Sequence, residues 1–367
     1  MNNKVVVIGG GYAGIEVAHG LDKTADVTLI DRNPAFVHCS ANIRALVDPT
    51  ISKTNVIPYN NLLKRGKFVQ GNVEHVRTDA VVLSDGRTIE ADIIAVITGS
   101  TYATPFKPQG KGIDDLIDPI RTTHEKIAAA SHIAIIGAGA VGTELAGEIR
   151  VAFPNKRVSL ISEQPKLFPM YPEKLGAQLS KKLKQLGVDL MLGQRVKNLQ
   201  TTNAPSKEPL MLDSGVRIDA DLVIPAMGAK PNVGLLSELD GVELTSTGQV
   251  AVDQWLRPTS RNNLFVAGDI ASTGDAMTIT TNLKHVPFLV STIKAVVAGK
   301  KVEQCKPYKG WNVVPLFLPL GPNLGNSILP IGKGWIVGDW LTSKIKGKEL
   351  FIPKYLKLMG HIDRLGS

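Results

Sequence analysis

Short β-branched runs that stop at a glycine alternate along this chain with longer stretches of helical spacing. Residues 5–8 (VVVI) form the first such run, and three glycines and an alanine-rich helical pattern follow it. A second run, residues 27–30, ends at Asp31, and the pattern from about Ser40 predicts a helix. Residues 68–76 and 80–83 alternate as strands around a turn at Ser84-Asp85-Gly86-Arg87. A third run, 92–97, ends in Thr98-Gly99-Ser100. The arrangement then recurs: a strand and glycine turn at 132–148, a strand at 158–161, and a helix over 172–186 with Leu175, Leu179, Leu183 and Leu186 on its core face. Strands follow at 188–192, 209–212 and 222–224, then a strand at 264–270 and a helix from about 281 to 298. Strand and helix in alternation predict an α/β fold with two Rossmann-like dinucleotide-binding units and a C-terminal α+β segment.

The glycines give the pattern its chemistry. Gly9, Gly11 and Gly14 have the spacing GxGxxG between strand and helix, and Asp31 stands 22 residues after Gly9. Gly9 permits the tight turn, Gly11 lets a pyrophosphate approach the backbone, and Gly14 lets the helix lie against the strand. The helix N-terminus offers free N–H groups to phosphate, and Asp31 can accept both hydroxyl hydrogens of a ribose. Tyr12 and Ala13 inside this turn, and Arg32 after the acid, are candidate cofactor contacts with Thr98 and Gly99. Gly137, Gly139 and Gly142 repeat the spacing 128 residues later, with Val141 inside the turn. Two fingerprints mean two dinucleotides, or one fold duplicated. In the second copy Ser162 takes the place of Asp31 and Glu163 follows it. Only Lys166 is near, with no arginine to hold a 2′-phosphate, which favours NADH and leaves NADPH open. Gly228 closes the second unit's last strand much as Gly99 closes the first's.

With 367 residues the chain suits two or three domains: 1–120 with 247–304, an inserted 121–246, and a C-terminal 305–367. At 43% hydrophobic and 20% charged residues it can bury a large core. Cys39 and Cys305 form no close pair, so neither a disulfide framework nor a redox disulfide is encoded, and each reads as a buried thiol. No metal site is expected. The first strand begins at about residue 4, leaving no room for a signal peptide, and the default compartment is the cytoplasm. Residues 310–332 carry no charge, but Pro315, Pro319, Pro322 and Pro330 punctuate them, so they read as strands and turns and not as a membrane span. The net charge is +9, and from residue 300 onward eleven Lys or Arg face four acids. That tail suits an anionic membrane surface or an acidic protein. Nucleic acid is a poorer match, because basic and aromatic residues are not interleaved.

These features together resemble a known family. The two glycine-rich units, the strand-end segments Thr98-Gly99 and Met227-Gly228-Ala229-Lys230-Pro231-Asn232, and Gly268-Asp269 after VA are similar to the two-dinucleotide-binding-domain flavoproteins. Within them, the closing run 318–351 (LPLGPNLGNSILPIGKGWIVGDWLTSKIKGKELF) resembles the ferroptosis-suppressor branch, apoptosis-inducing-factor-like NAD(P)H:quinone oxidoreductases. Type II NADH:quinone dehydrogenases are a more distant likeness.

The resemblance implies FAD in the first unit and NAD(P)H in the second, with hydride passing to FAD and two electrons then leaving to a quinone. It implies that Gly9, Gly11 and Gly14 hold the FAD pyrophosphate, Asp31 its ribose, Val73 the adenine through its backbone, and Gly268-Asp269 the ribityl chain or phosphate. Arg44 would contact the cofactor, Glu144 would lie near nicotinamide and flavin, and Lys346 and Phe351 would sit at the flavin and quinone site. Each has a plainer reading: Glu144 as an acid in the first turn of a helix, Lys346 as one of several solvated lysines. Trp335, Trp340 and Phe351 are candidate apolar walls for a quinone, or ordinary packing. A reductase for a ferredoxin or rubredoxin, a flavin oxidase or reductase in a biosynthetic pathway, and a redox-gated nucleic-acid-binding protein are the alternatives.

Overall fold

The computed structural model describes residues 3–365. Two parallel sheets carry the two glycine turns. The first has the order Leu264–Val266, Ile93–Val96, Lys4–Ile8, Asp26–Asp31, Lys67–Gln70, so a strand from late in the chain completes a sheet begun at its start. The second has the order Val188–Leu192, Arg157–Ser162, His132–Ile136, Leu222–Pro225. Val5, Val6 and Val7 are buried on both faces of the sheet, which is why this strand reads as a continuous apolar run and not as an alternating one.

The duplication extends to single hydrogen bonds. Gly9 N donates to Ile30 O and Gly137 N to Ile161 O, both at 2.8 Å. A Cβ on Gly14 would stand 1.8 Å from Gly9 O, and one on Gly142 would stand 1.9 Å from Gly137 O. Each helix, Tyr12–Leu21 and Ala140–Ala152, therefore lies on its turn at a distance only glycine allows.

The units are stitched at their strand ends. Ser100–Thr101 pairs antiparallel with Lys230–Pro231, and Asn232 bonds Thr98 and Gly99 through backbone and side chain. An antiparallel sheet of Leu316–Pro319, Gly325–Leu329 and Trp335–Val337 then packs on the second unit, where a Cβ on Gly147 would lie 2.6 Å from Leu320 Cα. The chain continues through Asp339–Thr342, a π-helical turn Ser343–Gly347, and helix Ile352–Leu358, whose Tyr355 and Leu356 enter the core of the first unit.

Some predicted elements change length. Residues 68–76 form two strands, because Gly71 leaves the parallel sheet and Val73–Val76 pairs antiparallel with Ala80–Leu83. The run 264–270 stops being a strand at Val266, since Gly268 turns the backbone at φ +75°. The helix near 281 spans Asn282–Val297. Residues 310–332 form strands and turns, and among the described residues no helix is long and apolar enough to cross a membrane.

Candidate active site

One cavity runs from the first glycine turn to the C-terminal segment. Gly9, Gly11, Tyr12, Ala13, Asp31 and Arg32 line one end, and Thr98, Gly99, Gly268 and Asp269 line its flank. Val141, Glu144, Phe317, Lys346 and Phe351 line the far end. Asp31 Oδ2 accepts from Gly10 N at 2.5 Å and Oδ1 from Asn33 N at 2.7 Å. Burial raises its pKa against those bonds, and each oxygen keeps a lone pair for a further donor. A Cβ on Gly11 would meet nothing within 4 Å, so bare backbone faces the cavity there. These residues fit the pyrophosphate and ribose of FAD.

The flank is held from behind by a histidine that local sequence does not flag. His285 is buried, and its Nδ1 accepts from Gly268 N at 3.0 Å. Its Nε2 lies 3.2 Å from Thr273 Oγ1 and 3.7 Å from Asp275 Oδ2. Burial would raise the Asp275 carboxyl, yet bonds from His285, Tyr308 and Trp311 N hold it down to about 2. Asp269, next to the clamped glycine, accepts from Ser100 Oγ and lies 3.5 Å from Lys107 Nζ.

A second clamp fixes the far end. Tyr12 OH bonds His38 Nδ1 at 2.7 Å, and His38 Nε2 bonds Leu350 O at 2.7 Å. His38 is fully buried, and that burial pushes its imidazole down to about 3, so it stays neutral and donates from Nε2. The carbonyl it holds is that of Leu350, the first of two consecutive left-handed residues, Leu350 at φ 52° and Phe351 at φ 62°. Such backbone costs about 1–3 kcal/mol per residue and persists only where its surroundings enforce it. Here it turns Phe351 to the cavity, with Phe317 edge-on at 6.1 Å.

Between the clamps lie four buried charges. Lys346 Nζ bonds both oxygens of Glu144 at 2.7 Å and Phe317 O at 3.2 Å. Four residues along the same helix face, Glu148 takes a bidentate grip from Arg44 at 2.7–3.0 Å. Burial pushes Glu144 up to about 7, against the downward pull of Lys346, and burial likewise raises Glu148 against Arg44. The wall thus carries a carboxyl poised near neutrality.

Several sequence readings change at this point. Lys346 is not a solvated lysine but is buried in the π-helical turn, where Gly347 lies close to Pro322 O. No acid stands in the first turn of Ala140–Ala152, and Glu144 is buried one step further along. Arg44 is not part of the cavity lining, because Glu148 holds it, and Val73 is not part of it either. Trp335 and Trp340 are 56% and 74% exposed and form no wall, whereas Tyr102, Phe106 and Phe317 do line the cavity. Both cysteines are half-buried and unpaired, and Cys39 faces the cavity. Glu148 joins the site as well, and the sequence signal for it is its place four residues after Glu144 on an apolar helix face, where two buried acids require cations. In the second unit, Gly139 caps its helix with open space at its Cβ position, Gly228 is exposed, and Glu163 pairs with Arg195 at 3.4 Å.

Residues 1–115 and 109–288 match the family described as "Pyridine nucleotide-disulphide oxidoreductase". The chain belongs to that family. It is similar to Apoptosis-inducing factor homolog B of Dictyostelium discoideum, at 30% identity over 98% of this chain and 97% of the relative. It is similar also to Ferroptosis suppressor protein 1 of Homo sapiens, at 27% identity over 97% and 95%. Among solved structures, the putidaredoxin reductase–putidaredoxin covalent complex covers 89% of this chain and 81% of its own, at TM-score 0.70 and 20% identity, a likeness of fold. This family member is an FAD-dependent NAD(P)H oxidoreductase, similar to the ferroptosis-suppressor and apoptosis-inducing-factor flavoproteins.

Proposed function

We propose that this chain takes two electrons from NAD(P)H and delivers them, through FAD, to a quinone. Bound FAD supplies the two-electron exchange between the nucleotide and the acceptor. In this reading residues 1–120 and 247–304 hold FAD, 121–246 hold the nucleotide, and 305–367 cover the acceptor site. The chemistry NAD(P)H + H⁺ + quinone → NAD(P)⁺ + quinol needs one proton beyond the hydride. The observation that carries the reading is Glu144 on the cavity wall, raised to about 7 by burial and bonded to Lys346, beside the apolar faces of Phe317 and Phe351. A carboxyl with that pKa can hold the proton at Glu144 Oε and release it near neutral pH. Phe317, Phe351 and Leu316 give this end an apolar lining that suits a quinone ring.

Nine of the eleven basic residues after 299 are exposed lysines, which supports docking at an anionic membrane where quinones partition, at about 1 kcal/mol per residue. The same surface supports a second reading, delivery to an acidic iron–sulfur protein; the reductase of similar fold is joined to a protein, putidaredoxin, in its solved complex. Anaerobic reduction of the yellow protein by NADH, followed by reoxidation with short-chain quinones or with ferredoxins, separates the two. Faster reoxidation by the iron–sulfur protein would sink the quinone reading.

A further inference from the structure

The second unit departs from the first at the position that reads the adenosine ribose. Matching bonds, Gly9 N to Ile30 O and Gly137 N to Ile161 O, set Ser162 in the place of Asp31. Ser162 Oγ even accepts from Gln164 N at 3.2 Å, as Asp31 Oδ1 does from Asn33 N. The turn is kept while the charge is removed. Strand Val188–Leu192 runs beside this edge, and its exit is tied in place because Gln194 N donates to Ser162 O at 2.9 Å. That bond brings Arg195, 32 positions after Glu163, across from it, with Nε 3.4 Å from Glu163 Oε1. The Arg195 backbone is fixed by exchange with Asp213, at 3.2 and 2.9 Å, but its side chain is 70% exposed and Glu163 is 66% exposed. Lys166, the nearest cation in sequence, is engaged with Glu173 at 2.6 Å.

We propose that Glu163 and Arg195 form a two-way reader of the ribose 2′ position, so that this chain accepts both NADH and NADPH. The proposal rests on the nucleotide occupying the second unit. With a free 2′-hydroxyl, Glu163 accepts its hydrogen and stays paired with Arg195. A 2′-phosphate repels Glu163 and takes the guanidinium, whose planar donors match phosphate oxygens. The exchange is easy because an exposed ion pair at this separation is weak, and because Ser162 puts no fixed negative charge in the way.

The test is calorimetric binding of NAD⁺ and NADP⁺ to the flavin-loaded full chain, its Arg195→Ala variant and its Glu163→Gln variant. Both residues are exposed, so the variants keep the fold, and retained flavin verifies it. The parent is expected to bind both nucleotides with similar affinity. Arg195→Ala should weaken NADP⁺ by about tenfold or more and NAD⁺ by less than about threefold, and Glu163→Gln should shift preference toward NADP⁺. The affinity of NADP⁺ should also fall more steeply with salt. A parent that binds NAD⁺ and rejects NADP⁺, or an Arg195→Ala variant that loses both alike, overturns the reader. A parent that binds neither overturns the nucleotide assignment beneath it.

Discussion

Substituting Lys346→Met strips Glu144 of its counter-ion inside the protein. At the 2.7 Å separation of this pair, and with an effective dielectric of about 20, the lost attraction is about 6 kcal/mol. Removing both ions from water opposes it by several kcal/mol each. Desolvation wins narrowly, since the Glu144 carboxyl stands at about 7 even with Lys346 in contact. The folded state therefore holds this proton more tightly than the unfolded chain does. The resulting stability is fully present below the ordinary glutamate pKa, declines as pH rises to about 7, and then levels off. Without Lys346 the folded pKa moves higher, so the decline continues in the variant after it has stopped in the parent. The stability difference should be constant below pH 7 and then grow by about 1.4 kcal/mol per pH unit, reaching about 2 kcal/mol extra at pH 8.5. Urea denaturation of the two flavin-loaded proteins at pH 6, 7 and 8.5 measures it. A difference that does not change between pH 6 and 8.5 would refute the reasoning. The double variant Glu144→Gln/Lys346→Met, which has no such proton to bind, should show no slope against Glu144→Gln.

Two further outcomes follow from the turns. Gly14→Ala drives a methyl to 1.8 Å from Gly9 O and should give a colourless protein, whereas Gly142→Ala should stay yellow but fail to bleach with NADH; flavin retained after gel filtration reads both, and the reverse pattern would exchange the roles of the two units. His285→Leu leaves Gly268 N without its acceptor at a cost of about 1–3 kcal/mol, so the urea midpoint and flavin retention should both drop; an unchanged pair of values would mean the clamp does not position that turn.

What was legible in the chain was local. A β-branched run, a glycine at fixed spacing and an acid at the next strand end specify Gly9, Gly14 and Asp31 because all three meet within one strand-turn-helix-strand unit, Gly14 against Gly9 and both Gly9 and Gly10 against the strand end at Ile30 and Asp31. The rest of the site is made by pairings that no local window contains. Glu148 meets Arg44 across 104 positions, and Lys346 meets Glu144 across 202. Lys346 stands in a lysine-rich stretch that looks solvated, and only the wide turn ending at Gly347 carries it inward. Trp335 and Trp340 mislead in the opposite sense: large aromatics suggest a wall, but the edge strand and short helix that bear them point both side chains outward. Arg195 carries no local signal because its partner Glu163 lies 32 positions earlier, just past the end of the neighbouring strand Arg157–Ser162.

The bond from His38 to Leu350 spans 312 positions, and it has a consequence for how the molecule is made. During synthesis the groove on the first unit exists long before the ribosome has produced its roof. Until residues 343–358 are made, His38 Nε2 has no Leu350 carbonyl to hold, and the cavity end lined by Lys346 and Phe351 has no wall on that side. The last residues of the chain thereby complete a wall whose opposite side is built from the first forty.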